Sequence, residues 1–351
     1  MDDGKLRVLI VEDQITYQRI LRLALADIPD VEIVGIAANG REAVEMVRKH
    51  APDLVTLDVE MPVMNGLEAL NSIRRDRPGT RVLMVSSHTE AGAEITIQAM
   101  QDGAYDFITK PIGGRYGENR DRLRRELFRK LSVFRARGLA PVIVPKHDTS
   151  RCSRQPSLSP RRIDAVAVAA STGGPAALRV LLRGIPENFP VPVFIVQHMP
   201  AMFTAALARN LDNECAIRVV EGEDGMPVES ATVYLAPGGF HMTVEVTASG
   251  RVLGLNTLAQ ENFVRPAADV LFRSVARVYE RYAVGIVLTG MGKDGALGLQ
   301  CMKQAGATTF AQDGDSCTVF GMPSAAMKLG CVDRCLPLDA ISRDLLSVVR
   351  P

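Results

Sequence analysis

The chain has 351 residues, 47% of them hydrophobic and 23% charged, and its formal net charge is only +1. Such a composition excludes a predominantly disordered chain. No apolar run reaches the ~20 residues of a membrane helix, and the acidic opening MDDGKLRVLIVED does not read as a secretory signal.

At roughly one domain per 150 residues the length predicts two domains. LRVLIV (6–11), VEIVGIA (31–37), DLVTLD (53–58), RVLMVS (81–86) and DFIT (106–109) are short apolar runs bounded by charge or proline. They suit strands buried on both faces of a parallel sheet. Helical patterns, such as Ile15 to Asp27 and Arg41 to Lys49, lie between them. Strand and helix alternate, which predicts a doubly wound sheet of five strands. Residues 119–136 then place Leu123, Leu127, Leu131 and Phe134 at helical spacing with Arg and Lys opposite, a basic amphipathic helix. The stretch that follows, to Arg162, is rich in Pro, Ser and Arg without an apolar period and reads as a linker.

From Ile163 the alternation resumes. IDAVAVAA, VPVFIVQ, TVYLAP, AVGIVLTG and ATTFAQ are strand-like, with helices near 175–183, 203–211, 266–282 and 296–305. A second, larger, mainly parallel α/β domain is predicted over residues 163–351. Charge is segregated along the chain: residues 1–114 sum to −6, residues 115–162 to +10 and residues 163–351 to −3. The basic middle marks a boundary or a partner patch. It carries no nucleic-acid reader motif, so no nucleic-acid partner is expected. Cysteines at 152, 215, 301, 317, 331 and 335 form no CxxC pair, as in the reduced thiols of a cytoplasmic protein. None stands beside a histidine at a strand end, so no thiol catalysis is expected.

In a doubly wound sheet, chemistry gathers at the carboxyl ends of strands. The first domain has Glu12, Asp13, Asp58, Ser86 and Lys110 there. Clustered carboxylates repel one another unless a hard cation joins them, and Mg²⁺ suits such a site. Asp58 is then a candidate phosphoryl acceptor, with the Ser86 hydroxyl and the Lys110 ammonium holding phosphoryl oxygens. Any one of these residues alone reads as a solvated loop charge. The set, in this order, does not.

In the second domain VAVAA runs into Ser171-Thr172-Gly173-Gly174-Pro175 and a helix, a turn where backbone N–H groups converge on an oxyanion site. Alone, the turn reads as a helix cap or a phosphate cradle. VPVFIVQ ends in His198, and AVGIVLTG runs into a glycine loop carrying Asp294. Nucleophile, base and orienting acid thus fall at three strand ends, and geometry rather than chain order defines a triad. The order Ser, His, Asp disfavours the α/β-hydrolase fold. His241, in APGGFHM, is the rival base.

The acidic strand-end set resembles the response-regulator receiver domain over residues 5 to about 120. AASTGGP (169–175), VQHMPAMFTAALA (196–208), YLAPGGFHM (234–242), RPAADVLFRS (265–274), LTGMGKDG (288–295) and GMPSAAM (321–327) extend the likeness to the whole chain, which resembles the protein-glutamate methylesterase (CheB) family. The resemblance implies a flavodoxin-like receiver (1–120), a basic helix and flexible linker (121–162) and a three-layer α/β methylesterase domain (163–351). It implies phosphorylation of Asp58 by a histidine kinase, with Mg²⁺ on Asp13, Asp58 and the Glu60 carbonyl, Glu12 helping, and a cis Lys110–Pro111 bond. Phe107 stands where many receivers carry a switch tyrosine. The resemblance further implies Ser171 as nucleophile, His198 as base, Asp294 as its partner, the Met291 amide on the oxyanion and Thr172 beside the nucleophile. Glutamate γ-methyl esters and glutamines on chemoreceptor cytoplasmic helices are the implied substrates, and the ester step needs no cofactor. A monomer is expected, with no insertion in a membrane. Two rival readings are a response regulator whose C-terminal half only binds a partner and a nucleotide-dependent enzyme using the STGGP turn for phosphate.

Overall fold

The computed structural model describes residues 5–136 and 162–349, which form two compact units on either side of residues 137–161. In the first unit strands β1 (Leu6–Val11), β2 (Val31–Ala37), β3 (Leu54–Asp58), β4 (Arg81–Ser86) and β5 (Asp106–Thr109) alternate with helices α1 (Ile15–Ala26), α2 (Gly40–His50), α3 (Gly66–Asp76), α4 (Glu90–Gln101) and α5 (Tyr116–Ala136). The strands are parallel in the order β2-β1-β3-β4-β5. Local sequence sets the helix starts. Asn65 accepts from the Glu68 amide while Glu68 reaches back to the Asn65 amide, a capping box on α3. Asn39 and Thr89 cap α2 and α4 in the same sense.

The basic helix does not begin a linker. α5 is part of the first unit, where Leu123, Leu127 and Leu131 are buried in the same core as Val8, Ile10 and Leu21. Burying three leucines contributes about 1.5–3 kcal/mol each, which outweighs the solvation of a cationic face that stays outside. The boundary expected after residue 120 therefore falls inside a helix. The linker expected up to Arg162 lies, apart from that arginine, outside the described residues.

The second unit contains β6 (Ala165–Ala170), α6 (Gly174–Arg183), β7 (Val193–Gln197), α7 (Ala201–Glu214), β8 (Arg218–Glu221), β9 (Thr232–Leu235), β10 (His241–Thr247), β11 (Gly250–Asn256), α8 (Ala268–Tyr279), β12 (Ala283–Val287), α9 (Ala296–Gln304), β13 (Thr308–Gln312), α10 (Met322–Lys328), β14 (Arg334–Leu336) and α11 (Leu338–Val348). Seven strands form one parallel sheet in the order β14-β13-β12-β6-β7-β9-β8, and β10 and β11 form a separate antiparallel hairpin. The chain winds outward from β6 in both directions, so the switch point where such sheets open a cleft lies at β6. β6 is all Ala and Val and fully buried. Its small side chains Ala165, Ala167 and Ala169 share a core with Leu271, Phe272 and Val275 of α8.

Candidate active site

At the strand ends of the first unit, Glu12 and Asp58 are buried and Asp13 stands beside them, with carboxylate oxygens of all three within 4.8 Å of one another. Lys110 Nζ donates to Glu12 Oε1 at 2.9 Å and to Asp58 Oδ2 at 2.8 Å. Burial pushes the Glu12 carboxyl up to about 8, and the Asp58 charge adds to the shift against the pull of Lys110. Burial raises the Asp58 carboxyl as well. Desolvation works against the Lys110 charge, but Glu12 and Asp58 outweigh it and hold the ammonium above its ordinary value. Glu12 Oε2 and Asp13 Oδ1 are buried without a hydrogen-bond partner. Orphaned anionic oxygens beside a partly neutralised carboxylate are a donor set that fits a hard divalent cation.

The other residues expected to serve this pocket stand on β4 and β5 and in the turn after β3. Glu60 follows β3, and its side chain accepts from Ser87 Oγ at 2.9 Å. Ser86 is buried at the end of β4, where its Oγ accepts from Thr96 Oγ1 at 2.8 Å. The Lys110–Pro111 bond is not cis; Arg265–Pro266 is the cis bond among the described residues. With Lys110–Pro111 trans, Tyr17 donates its hydroxyl to the Pro111 carbonyl at 3.2 Å while Lys110 still reaches both carboxylates. Lys110 Nζ also stands 4.8 Å from the centre of the Tyr17 ring, within cation–π range. Phe107 is buried, and Lys130 of α5 lies 5.8 Å over its ring while pairing with Asp106 at 2.7 Å.

In the second unit β6 and β7 pair with Ala170 opposite Gln197, so Ser171 and His198 leave neighbouring strands side by side. The His198 amide donates to the Ala170 carbonyl at 3.2 Å, and the Ser171 amide donates to Thr289 on the other flank at 3.0 Å. His198 Nε2 meets Asp294 Oδ2 at 2.8 Å. With Nε2 engaged there, Nδ1 is the ring nitrogen left to serve a hydroxyl. Asp294 is buried and also accepts from the Ala268 amide at 2.6 Å and the Asp269 amide at 3.2 Å, the first turn of α8. Burial opposes its charge, but His198 and these amides more than compensate and hold its carboxyl below the ordinary range.

The Ser171 turn is packed too closely for larger residues. A Cβ on Gly290 would lie 2.8 Å from Ser171 Cβ, and one on Gly174 would lie 1.9 Å from Gln197 Oε1. Met291 follows Gly290, the residue whose backbone lies against Ser171. Thr172 is buried, and its carbonyl accepts from Thr289 Oγ1 at 2.9 Å. His241 is not in this group. Its Nδ1 accepts from the Ala267 amide at 3.2 Å and its Nε2 meets the Ala259 carbonyl at 3.0 Å, so both ring nitrogens are bound to backbone.

Sequence reasoning missed three supporting side chains. Gln197 donates to the Ser171 carbonyl at 3.0 Å, and Gln312 accepts from the Thr289 amide at 2.8 Å. Each is a buried glutamine closing an apolar strand, which is a legible signal. Asn262 donates to Asp294 Oδ1 at 2.9 Å from a loop without periodicity, where nothing in the pattern pointed to it.

An acidic pocket at the strand ends of one doubly wound unit, joined to a second α/β unit with its own strand-end cluster, defines a response regulator with an α/β effector domain. Comparison with known proteins specifies which. The family model for the response regulator receiver domain matches residues 8–118, and that for CheB methylesterase matches residues 166–345. A protein-glutamate methylesterase/protein-glutamine glutaminase of Dechloromonas aromatica is 43% identical over 98% of this chain and 99% of its own length. The Thermotoga maritima protein of that name is 40% identical over 99% of this chain and 100% of its own. The crystal structure of the Thermotoga maritima CheB methylesterase catalytic domain aligns with a TM-score of 0.52 at 38% identity, covering 53% of this chain and 99% of that one. The chain belongs to the CheB methylesterase family and carries that family's receiver domain.

Proposed function

We propose that the chain hydrolyses glutamate γ-methyl esters, and deamidates glutamines, on chemoreceptor cytoplasmic helices, with Ser171, His198 and Asp294 as its triad. The observation that carries this reading is the 2.8 Å bond from His198 to Asp294 at the strand end next to Ser171. The Ser171 oxygen attacks the ester carbonyl as its proton passes to His198 Nδ1, and Asp294 stabilises the imidazolium. The backbone amide of Met291 and the N-terminus of α6 take the developing oxyanion, with Thr172 beside the nucleophile. The C–O bond to the leaving group breaks as His198 returns the proton, releasing methanol, or ammonia from a glutamine. Water then attacks the acyl-serine with the same base and regenerates Ser171.

The unit of residues 5–136, α5 included, acts as receiver, and the unit of residues 162–349 acts as catalytic domain. A histidine kinase supplies the phosphoryl group, whose bond to phosphohistidine breaks as one forms to the Asp58 carboxylate. Asp13, Asp58 and the Glu60 carbonyl would hold Mg²⁺, with Glu12 assisting, and the ion supplies charge neutralisation at the phosphoryl group. Lys110 and Ser86 then bind phosphoryl oxygens. Phe107 has no hydroxyl, so a switch through it acts by packing against its surroundings, Lys130 among them. Phosphorylation relieves restraint on the esterase, and the protein works as a cytoplasmic monomer. The deciding experiment is methanol release from methyl-labelled receptor by the purified chain. No release, with phosphodonor and Mg²⁺ present, would leave the C-terminal domain a binding module.

A further inference from the structure

Asp294 has four hydrogen-bond donors around its carboxylate. Oδ2 receives His198 and the Ala268 amide, and Oδ1 receives the Asp269 amide and Asn262 Nδ2 at 2.9 Å. The same Nδ2 lies 2.9 Å from Asp269 Oδ2, so one amide group donates its two protons to two carboxylates. Asp269 is 1% exposed, and its other oxygen takes the Gly298 amide at 2.5 Å. Burial raises the Asp269 carboxyl above its ordinary range, and the Asp294 charge adds to that.

Asn262 is held for this task. It has φ +54°, a left-handed conformation that asparagine tolerates better than most side chains. His241 bonds backbone at Ala259 and Ala267, and Arg265 Nη1 donates to the Thr257 and Leu258 carbonyls, so the loop is pinned on both sides of Asn262. The charged groups nearby are accounted for. Glu261 is held by both Arg273 nitrogens, Lys293 precedes Asp294 in the chain, and burial pushes the Cys331 thiol, which senses Asp269, up to about 11.

We propose that Asn262 is a positioning residue for the reaction: by bridging Asp269 and Asp294 it fixes the Asp294 carboxylate against His198 and sets the basicity of the histidine. The proposal rests on Ser171 and His198 as nucleophile and base. Without the amide, Asp294 loses a donor and faces the second carboxylate unscreened. Its remaining hydrogen bond to imidazolium strengthens, the protonated histidine is favoured, and the acidic limb of the pH–rate profile moves to higher pH.

The test follows the rate of Ser171 labelling by a fluorophosphonate across pH in the full chain, which needs no receptor. Wild type, Asn262→Gly and Asn262→Asp are compared, glycine keeping the left-handed backbone and aspartate keeping the shape. We expect slower labelling of Asn262→Gly at neutral pH, by roughly ten- to a hundredfold, the range for a lost hydrogen bond to a charged group. Its acidic limb shifts upward, and the limb of Asn262→Asp shifts further. A uniform fall with the limb unmoved overturns the proposal, as does unfolding of both variants, because Asn262 is then only structural. Absence of wild-type labelling at Ser171 instead overturns the nucleophile assignment on which the proposal rests.

Discussion

His241 accepts the Ala267 amide through Nδ1 at 3.2 Å, which takes this rival out of contention as a base. Its second nitrogen is bound to Ala259. Removing this ring leaves a buried N–H and a buried carbonyl unpaired, each costing about 1–3 kcal/mol. His241→Ala should lower the unfolding temperature in calorimetry while the folded enzyme keeps substantial methanol release. Ser171→Ala and His198→Ala should each lose on the order of 10⁴-fold in kcat without a comparable loss of stability, and Asp294→Ala should retain more. A crippled His241→Ala beside an active His198→Ala would reverse the assignment.

The cysteines should be catalytically silent. Burial, with the Glu214 charge adding, pushes the Cys215 thiol up to about 11, and burial does the same to Cys331. Since the thiolate is the reactive form, both react slowly at neutral pH. Iodoacetamide should leave most esterase activity intact after modification of the folded protein. Rapid, stoichiometric inactivation traced by mass spectrometry to one cysteine would place a thiol in the cleft.

The acidic pocket predicts a pH-dependent response to Mg²⁺. Glu12 has its carboxyl raised from 4.5 to about 8, so its burial is tolerated below pH 4.5 and that share of stability is lost as pH rises toward 8. Asp58 is shifted in the same direction. Lys110 is raised from 10.5 and stays charged throughout this window. A cation takes deprotonated ligands, so at lower pH it must displace the Glu12 proton. Mg²⁺ should therefore raise the unfolding temperature of the receiver more at about pH 8.5 than at about pH 5.5. An equal rise at both values would show that Glu12 is already ionised. Asp58→Asn should diminish the rise at both.

Control by the receiver is tested by separation. The Thermotoga maritima catalytic domain has been crystallised by itself, so a fragment of residues 163–351 is a practical comparison. It should hydrolyse methylated receptor at a rate unaffected by a small phosphodonor and Mg²⁺. The full chain should be slow until the donor is added, and Asp58→Asn should stay slow. A coupling of ~1.4 kcal/mol already gives tenfold activation, inside the usual range for allosteric links. A fragment no faster than the unphosphorylated chain would rule out restraint by the receiver.

Strands buried on both faces are written as unbroken apolar runs, so the positions of Asp58, Ser171 and His198 at strand ends were legible. The hairpin of β10 and β11 was not. It packs one face on the core and exposes Val246 at 69%, so its burial is mixed and its apolar signal is weak. β8 and β14, at four and three residues, are too short to show a period. The leucine spacing of α5 was visible, but spacing does not say which core a helix joins, and the net +10 of its surroundings drew the reading toward a linker. Asn262 was hidden for another reason. A residue that acts through two carboxylates far away in sequence or on another element leaves no local mark.

β6 is the fourth of seven strands, hydrogen-bonded to β12 on one side and β7 on the other. Amides in such a strand exchange with solvent only when the sheet opens globally, whereas the edge strands β8 and β14 can fray alone. Deuterium uptake should therefore begin at Arg218–Glu221 and Arg334–Leu336 and reach Ala165–Ala170 last. In mild denaturant the protein should lose its sheet edges while the serine turn still stands, and activity should persist until the middle of the sheet gives way.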